Sequence, residues 1–276
     1  MSVTPKAIWY IESHLNDAPT LEAIAEVAGV SRFHLSRAFA ASSGYSIAGY
    51  MRSRRLSEAA KALMKGAPDI LAVALEAGYG SHEAFTRAFR QYFGLTPEQV
   101  RGQPQNISLQ EPIRMNGTVK TPLGAPRIVK NEAMLIFGLS ERCPVAGSPA
   151  IPSQWNSFAP HLGHIDGQVA GVAYGVIYNS DDSGGCDYMC GVEVREFPSQ
   201  PKEFTRLRIP PQTYAVFEHR EHISAIAGTW KAIWEHGLAD AGYPAADGPA
   251  LERYDERFDG GTGFGRLELW VPVKVD

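Results

Sequence analysis

Residues 1–101 contain one helical pattern twice, and this repeat constrains the fold more than any other feature of the sequence. Residues 24–39 return as residues 73–89, so that Ser31 corresponds to Ser81. In both copies apolar residues recur at spacings of three and four, which is typical of amphipathic helices. This part of the chain is therefore predicted to be all-α and to hold one two-helix unit twice. A plain helical bundle is the alternative interpretation.

Each copy has the local signals of a helix-turn-helix unit. Gly29 and Gly78 lie where a tight turn between two helices requires a positive φ angle. Ser31 and Ser81 can cap the second helix by accepting hydrogen bonds from backbone N–H groups. That helix is predicted to bury Leu35 and Phe39 in the first copy, and Phe85 and Phe89 in the second. Its outer face, which a recognition helix turns to the major groove, carries Arg32, Phe33, Ser36 and Arg37 in the first copy, and His82, Glu83, Thr86 and Arg87 in the second.

Residues 47–63 are predicted to form one continuous helix between the two units. At 1.5 Å per residue, about 17 residues span roughly 25 Å. A rigid spacer of this length could place the two recognition helices in successive major-groove segments, about 34 Å apart. A single chain would then recognise a non-palindromic site on double-stranded DNA.

Residues 1–101 resemble the AraC/XylS-type DNA-binding domain along their whole length. The resemblance rests on the second copy, in which AGYGS at 77–81 and FTRAF at 85–89 are followed by FGLTP at 93–97 and by Arg101. In that family the outward side chains of both recognition helices contact bases, and the eight outward residues of the two copies are the matching positions. The N-terminal position of the domain is most similar to the Rob-like order, in which an effector domain follows.

The character of the chain changes after Arg101. A polar stretch with helix breakers follows, so residues 104–111 are predicted to be a linker between a DNA-binding domain at 1–103 and a second domain at 112–276. The first domain has 11 Lys and Arg against 9 Asp and Glu, a net charge of +2. The remainder has 15 against 21, a net charge of −6. The relative excess of positive charge lies where contact with phosphate groups is expected.

The C-terminal half is predicted to be an α+β domain made of two β-α-β-β repeats. The expected order is strand 126–139, helix 153–162, strands 168–178 and 187–196, and then strand 204–220, helix 223–241, strands 251–258 and 265–275. Two such units would form one sheet with helices on one face and a concave ligand cleft on the other. This order, with residues 210–217 and 267–273, resembles the GyrI-like effector-binding domain.

Alternation along the last strand divides its side chains between the two faces of the sheet. Leu267, Leu269 and Val271 are predicted to face the helices, whereas Glu268 and Trp270 would face the cleft. The GyrI-like resemblance implies that a glutamate on this strand faces the ligand, and Glu268 is the matching residue. A carboxylate beside aromatic rings favours a cationic or aromatic molecule.

Further aromatic residues are candidates for the effector pocket. They are Tyr174, Tyr188, Trp155, Trp230 and Trp234. Trp230 and Trp234 lie four residues apart on a predicted helix, so a place in the core or in an interface is the alternative for both.

Other classes of function lack support in the sequence. No apolar run approaches the length of about 18 residues that a membrane helix needs, and the N-terminus lacks the features of a signal peptide. Three cysteines are too few for a disulfide framework, which favours a cytoplasmic protein. Cys186 and Cys190 lack further metal ligands at a suitable spacing, and a nucleophile motif is missing. We therefore expect neither metal nor cofactor, and no enzymatic activity.

The leading hypothesis is a transcription regulator controlled by a small molecule. The C-terminal domain would bind the effector and alter contacts with DNA or RNA polymerase. One alternative is an enzyme, since some GyrI-like domains are thought to hydrolyse electrophilic small molecules with a glutamate and aromatic residues. Another is a constitutive activator whose C-terminal half only protects or dimerises the protein.

Overall fold

The computed structural model of the chain describes residues 2–102, 107–113, 121–143, 150–181 and 185–275. The N-terminal part is all-α, as predicted. Its described helices are α1 Val3–Ser13, a 3₁₀ turn Leu15–Asp17, α2 Leu21–Ala28, α3 Arg32–Ser43, α4 Ile47–Met64, α5 Ile70–Glu76, α6 His82–Phe93 and α7 Pro97–Gly102. The two predicted helix-turn-helix units are α2 with α3 and α5 with α6.

The turns of both units have the predicted conformation. Gly29 and Gly78 have φ angles of 75° and 82°. The hydroxyl groups of Ser31 and Ser81 accept hydrogen bonds from N–H groups in the first turns of α3 and α6, at 3.2 and 3.1 Å. The residues predicted to be buried in these helices are all fully buried: Leu35, Phe39, Phe85 and Phe89. Each recognition helix is thus fixed by a cap at its start and by aromatic packing along its inner face.

Helix α4 is the predicted spacer, and residues 107–113 run along it. The backbone N–H of Gln110 donates to Ser57 Oγ at 2.8 Å. The guanidinium of Arg54 donates to the Gln110 carbonyl, also at 2.8 Å. The described part of the predicted linker is therefore attached to the helical domain by specific hydrogen bonds.

The C-terminal part is an α+β domain built on one antiparallel sheet of eight strands, in the order β1-β6-β10-β7-β3-β4-β2-β5. Its described strands are β1 Arg127–Asn131, β2 Met134–Cys143, β3 Gln168–Tyr178, β4 Cys186–Val194, β5 Thr205–Ile209, β6 Gln212–His219, β7 Ala250–Tyr254, β8 Phe258–Asp259, β9 Phe264–Gly265 and β10 Leu267–Pro272. Strands β8 and β9 form a separate small hairpin. The helical elements are α8 Ile151–Phe158, 3₁₀ turns Ala159–His161 and Ile223–Ala225, α9 Ile226–Ala232, a π-helical turn Ile233–Gly237 and α10 Leu238–Ala241.

The prediction of one long strand at the start of each repeat is wrong. The second of these strands is interrupted at Pro210 and Pro211, which lack the N–H group that a continuous ladder requires. The first is interrupted at Glu132 and Ala133. The resulting short strands pair across the repeats, β1 with β6 and β5 with β2. The two repeats are therefore joined by strand exchange as well as by the contact of β3 with β7.

The two faces of the sheet carry different sets of side chains. Leu267, Leu269 and Val271 pack in one hydrophobic cluster with helix residues such as Ile233, which confirms the predicted helix-facing side of β10. On the opposite face, Trp270 belongs to a separate cluster of strand residues. The larger cluster also includes residues of α1, α2 and α3, so the first helix-turn-helix unit packs on the C-terminal domain. Among the described helices, none has the length and apolar character needed to cross a membrane.

Candidate functional site

A buried carboxylate lies at the centre of the sheet, on the face that the helices cover. Glu252 of β7 is 6% exposed. Its Oε2 atom accepts hydrogen bonds from Tyr188 at 2.6 Å and from Tyr254 at 2.9 Å. Its Oε1 atom accepts one from the indole N–H of Trp230 at 2.9 Å. Three aromatic side chains, from β4, β7 and α9, therefore converge on one carboxylate.

A fourth aromatic residue and one glycine complete this site. The indole N–H of Trp155, on α8, donates to the Tyr188 hydroxyl at 3.0 Å, and its ring meets that of Tyr254 at 5.0 Å. Gly175 of β3 leaves the space that the hydroxyl and carboxylate occupy. A Cβ atom there would lie 2.3 Å from Tyr188 Oη and 2.7 Å from Glu252 Oε2. The close approach of these groups thus depends on a residue without a side chain.

The electrostatics of this site favour a positive charge. In the described part of the chain, all three donors to Glu252 are neutral, and no Lys, Arg or His forms an ion pair with it. Burial, followed by the nearby Glu252 carboxylate, raises the pKa of Tyr188 and of Tyr254 well above 10.0, so both hydroxyls stay protonated. A buried carboxylate without a cation carries a large desolvation cost, which a bound cation would reduce.

Glu268, the predicted ligand carboxylate, has a different environment. It is on the opposite face of the sheet, 2% exposed, and accepts hydrogen bonds from Arg127 at 2.8 Å and Arg257 at 3.0 Å. Arg253 lies at 3.5 Å, and the indole of Trp270 donates at 3.0 Å. Burial raises the pKa of Glu268, but the two arginines outweigh it, so that the pKa lies below 4.5. The prediction that Glu268 offers its charge to a cationic ligand is therefore not supported, because arginines of the protein already pair with this carboxylate.

The seven residues predicted for the effector pocket divide between the two faces. Trp155, Tyr188 and Trp230 meet at Glu252, as described above. Trp234 follows one turn after Trp230 on the same helix, and its ring stacks on that of Trp230 at 6.3 Å. The other three, Glu268, Trp270 and Tyr174, lie on the opposite face. The prediction that all seven share one cleft is therefore wrong.

The sequence contained a signal for Glu252 that was not used. Strand alternation places Glu252 on the same face as Ala250 and Tyr254. Leu251 and Arg253 point to the opposite face. A carboxylate on the apolar, helix-facing side of a strand is unusual, because burying it without a partner is costly. Applied to β7 as it was to β10, the same alternation would have indicated this site.

The second recognition helix, α6, presents its predicted contacts to solvent. Glu83 and Arg87 are exposed, and His82 and Thr86 are partly exposed. His82 lies 3.1 Å from the carboxylate of Glu98, on α7. With neighbouring residues these four line an open groove along α6. This geometry is compatible with the predicted contacts to DNA.

The first recognition helix, α3, is covered on the corresponding face. Arg32 is exposed and pairs with Glu22 at 2.8 Å, whereas Ser36 is partly buried. The Phe33 ring packs edge-on against Trp234 at 5.9 Å. Arg37 is only 6% exposed. The expectation that Arg37 points into solvent is wrong in this structure, because the C-terminal domain covers it.

The fold and these sites define a class of protein that joins two helix-turn-helix units to a domain in which aromatic side chains surround a buried carboxylate. Comparison with known families supports both parts. Residues 124–274 match the GyrI-like small molecule binding domain, and residues 24–103 match a helix-turn-helix domain. The chain belongs to the GyrI-like family and carries an AraC-type helix-turn-helix domain, which confirms both resemblances seen in the sequence.

Individual relatives agree with this assignment. The chain is 39% identical over 110 residues to the right origin-binding protein of Escherichia coli K12, covering 39% of this chain and 38% of that protein. It is 32% identical over 149 residues to the transcriptional regulator BrlR of Pseudomonas aeruginosa, covering 53% and 54%. The alignments thus span about half or less of these relatives. The solved structure of SAV2435 bound to tetraphenylphosphonium covers 54% of this chain and 93% of its own, at 18% identity and a TM-score of 0.44.

Proposed function

We propose that this protein is a sequence-specific DNA-binding transcription regulator whose effector is an organic cation bound at Glu252. The observation that carries the proposal is the buried Glu252 carboxylate, which accepts three hydrogen bonds from neutral aromatic side chains. Relatives named as transcriptional regulators support the regulatory part. RNA polymerase is a further partner that we propose from this class of function alone.

The geometry also suggests how a ligand reaches Glu252. Tyr188 is 2% exposed and Trp230 is 8% exposed, whereas Trp155 and Tyr254 are only partly buried. A ligand therefore enters beside Trp155 and Tyr254 and displaces side chains until its charge meets the carboxylate. Aromatic groups on the cation would replace the ring contacts that are lost. We infer that the effector is bulky, aromatic and positively charged.

Tetraphenylphosphonium is a suitable probe, because it carries one positive charge inside four aromatic rings. We expect calorimetry to show that the full chain binds it, and that Glu252→Gln weakens binding roughly 10- to 100-fold, or about 1.5–3 kcal/mol for a lost charged interaction. Glu268→Gln, which removes a carboxylate from the opposite face, is the matched control and should bind as the wild type does. Neutral triphenylphosphine oxide should bind both variants and the wild type alike. Equal tetraphenylphosphonium affinity for wild type and Glu252→Gln would refute the site.

We propose binding without turnover. Both oxygens of Glu252 already accept hydrogen bonds, and its tyrosine neighbours are protonated, so a free general base is not evident at this carboxylate. p-Nitrophenyl acetate tests the hydrolase alternative, because it is an activated, electrophilic ester. The full chain should release p-nitrophenolate at the rate of buffer alone. An acceleration that Glu252→Gln removes would instead support an enzyme.

The DNA-binding part is tested at Arg87, which is exposed on α6. Duplexes that the full chain selects from a randomised library give the operator. On such a duplex Arg87→Ala should lose about 1–3 kcal/mol if its guanidinium reads a guanine. Arg195→Ala, an exposed arginine of the C-terminal domain, is the control and should bind normally. If Arg87→Ala loses the same binding free energy on selected and on scrambled duplexes, Arg87 contacts phosphate and does not read a base. If the full chain selects no sequence from the library, the proposed function is refuted.

A further inference from the structure

The first recognition helix is held against the effector domain by a short segment, the π-helical turn Ile233–Gly237. Nε2 of His34 donates to the backbone carbonyl of Trp234 at 2.6 Å. The Phe33 ring meets the Trp234 ring at 5.9 Å in an edge-on contact. Single turns of π-helix are rare and are frequently found at functional sites. The N-terminal half of α3, which would enter a major groove, is thus engaged by the protein itself.

A buried glutamate strengthens this contact. Glu235, in the same π-helical turn, is 7% exposed. Its Oε1 atom accepts a hydrogen bond from the Ser42 hydroxyl at 2.5 Å, near the end of α3. Its Oε2 atom lies 3.4 Å from the backbone N–H of Thr4, at the start of α1. One side chain of the effector domain therefore holds two helices of the DNA-binding domain.

The same contact buries the charged side chain of Arg37, which costs desolvation free energy. Arg37 is 6% exposed, and its Nε and Nη2 atoms have no hydrogen-bond partner among the described residues. Its guanidinium lies over the Phe33 ring, with 5.1 Å between Cζ and the ring centroid. Burial lowers the pKa of Arg37 to about 10. Undocking would return this charge to water or to DNA, and the recovered hydration offsets part of the free energy needed to separate the two domains.

DNA and the effector domain compete for the same side chains. Phe33 and Arg37 are on the outward face of α3 expected to contact bases, and both are occupied here. We propose that docking of α3 on the π-helical turn is an autoinhibitory contact, which keeps the first helix-turn-helix unit off DNA while the second, α6, stays accessible. The proposal rests on the proposed DNA-binding function.

Glu235→Ala tests the contact from the effector side and leaves every residue of the DNA-binding domain unchanged. Glu256→Ala, at an exposed loop position, is the matched control. In the full chain, hydrogen–deuterium exchange of α3 should become at least about tenfold faster in Glu235→Ala, with α6 unchanged. If Glu235→Ala does not fold, Ser42→Ala removes the same hydrogen bond from the other partner and should act in the same direction. Unchanged exchange of α3 in both variants would overturn the docking.

The consequence for DNA is measured on a duplex selected from a randomised library by Glu235→Ala. We expect this variant to protect two half-sites in a hydroxyl-radical footprint and to bind about tenfold more tightly than wild type or Glu256→Ala. Protection of both half-sites with equal affinity by wild type would overturn autoinhibition. If α3 exchanges faster in Glu235→Ala but the variant selects no sequence, the proposed function fails, and with it the inhibitory role of the contact.

Discussion

Two buried carboxylates on one sheet show how neighbours decide the role of a residue. Glu252 and Glu268 are 6% and 2% exposed, so burial alone does not distinguish them. Glu268 is surrounded by guanidinium groups, which satisfy its charge inside the protein. Glu252 has only neutral donors among the described residues. Glu268 therefore has a structural role, whereas Glu252 is the carboxylate whose charge a cationic ligand would balance.

Glu268→Gln should destabilise the folded protein without changing its affinity for the effector. The substitution leaves the N–H groups of the partner arginines with a weaker acceptor, which typically costs about 1–3 kcal/mol. We expect the low end of this range, because the Arg127 side chain is 52% exposed and water can replace the lost partner. Urea unfolding followed by near-UV circular dichroism measures the shift. If Glu268→Gln loses tetraphenylphosphonium affinity and keeps its stability, Glu268 belongs to the effector site after all.

His34 reports on the domain contact through its own titration. Burial lowers the pKa of His34 below 6.5, and the hydrogen bond to Trp234 and the charge of Glu235 only partly oppose this effect. If Glu235→Ala leaves α3 docked, loss of the carboxylate should lower this pKa further. If the variant undocks α3, the imidazole becomes exposed and its pKa should rise toward 6.5. We expect the rise, measured by NMR titration with the resonance assigned from His34→Asn.

At the scale of elements, most of the fold could be predicted because its signals are local. Serine caps, turn glycines and three- to four-residue spacing define the helices of the first domain, and each depends on neighbours within a few residues. Strand exchange between the repeats could not be predicted in this way. Whether β1 pairs with β6 depends on contacts between residues about 85 positions apart, such as Ile128 and Ala215. Likewise, alternation assigned the faces of β10 correctly but could not show that the carboxylate without a charged partner lies on the other face.

The spacer helix α4 gives a prediction at the same scale. Ala59→Pro removes a helix hydrogen bond and clashes with the preceding turn, at a cost of about 3 kcal/mol or more. In the Glu235→Ala background, in which both recognition helices are free, the two half-sites should then be protected independently of each other. Ala59→Gly, which costs only about 1 kcal/mol in a helix, is the control and should keep them coupled. Joint protection in Ala59→Pro at unchanged affinity would show that rigidity of α4 is unnecessary.

At the scale of the whole molecule, one continuous helical segment contacts both the proposed effector site and the docked helix α3. Trp230 donates to Glu252, and its ring is nearly parallel to that of Trp234, at an interplanar angle of 15°. Trp234 in turn contacts Phe33 and His34. A sequence pattern predicted Trp230 and Trp234 as pocket residues or as interface residues. In the structure Trp230 contacts Glu252, where we propose that the effector binds, and Trp234, one helical turn later, contacts the DNA-binding domain.

This arrangement predicts reciprocal coupling between effector and DNA. A cation that pairs with Glu252 competes with the indole of Trp230, and movement of that ring disturbs Trp234 and the contact with α3. If tetraphenylphosphonium raises DNA affinity about tenfold, or about 1.4 kcal/mol, the duplex must raise tetraphenylphosphonium affinity by the same factor. Calorimetry on the wild-type chain with and without the selected duplex should show this. In Glu235→Ala the factor should fall to about one, because α3 is already free. Wild-type affinities that are equal with and without DNA would mean that the Glu252 site and α3 are not coupled.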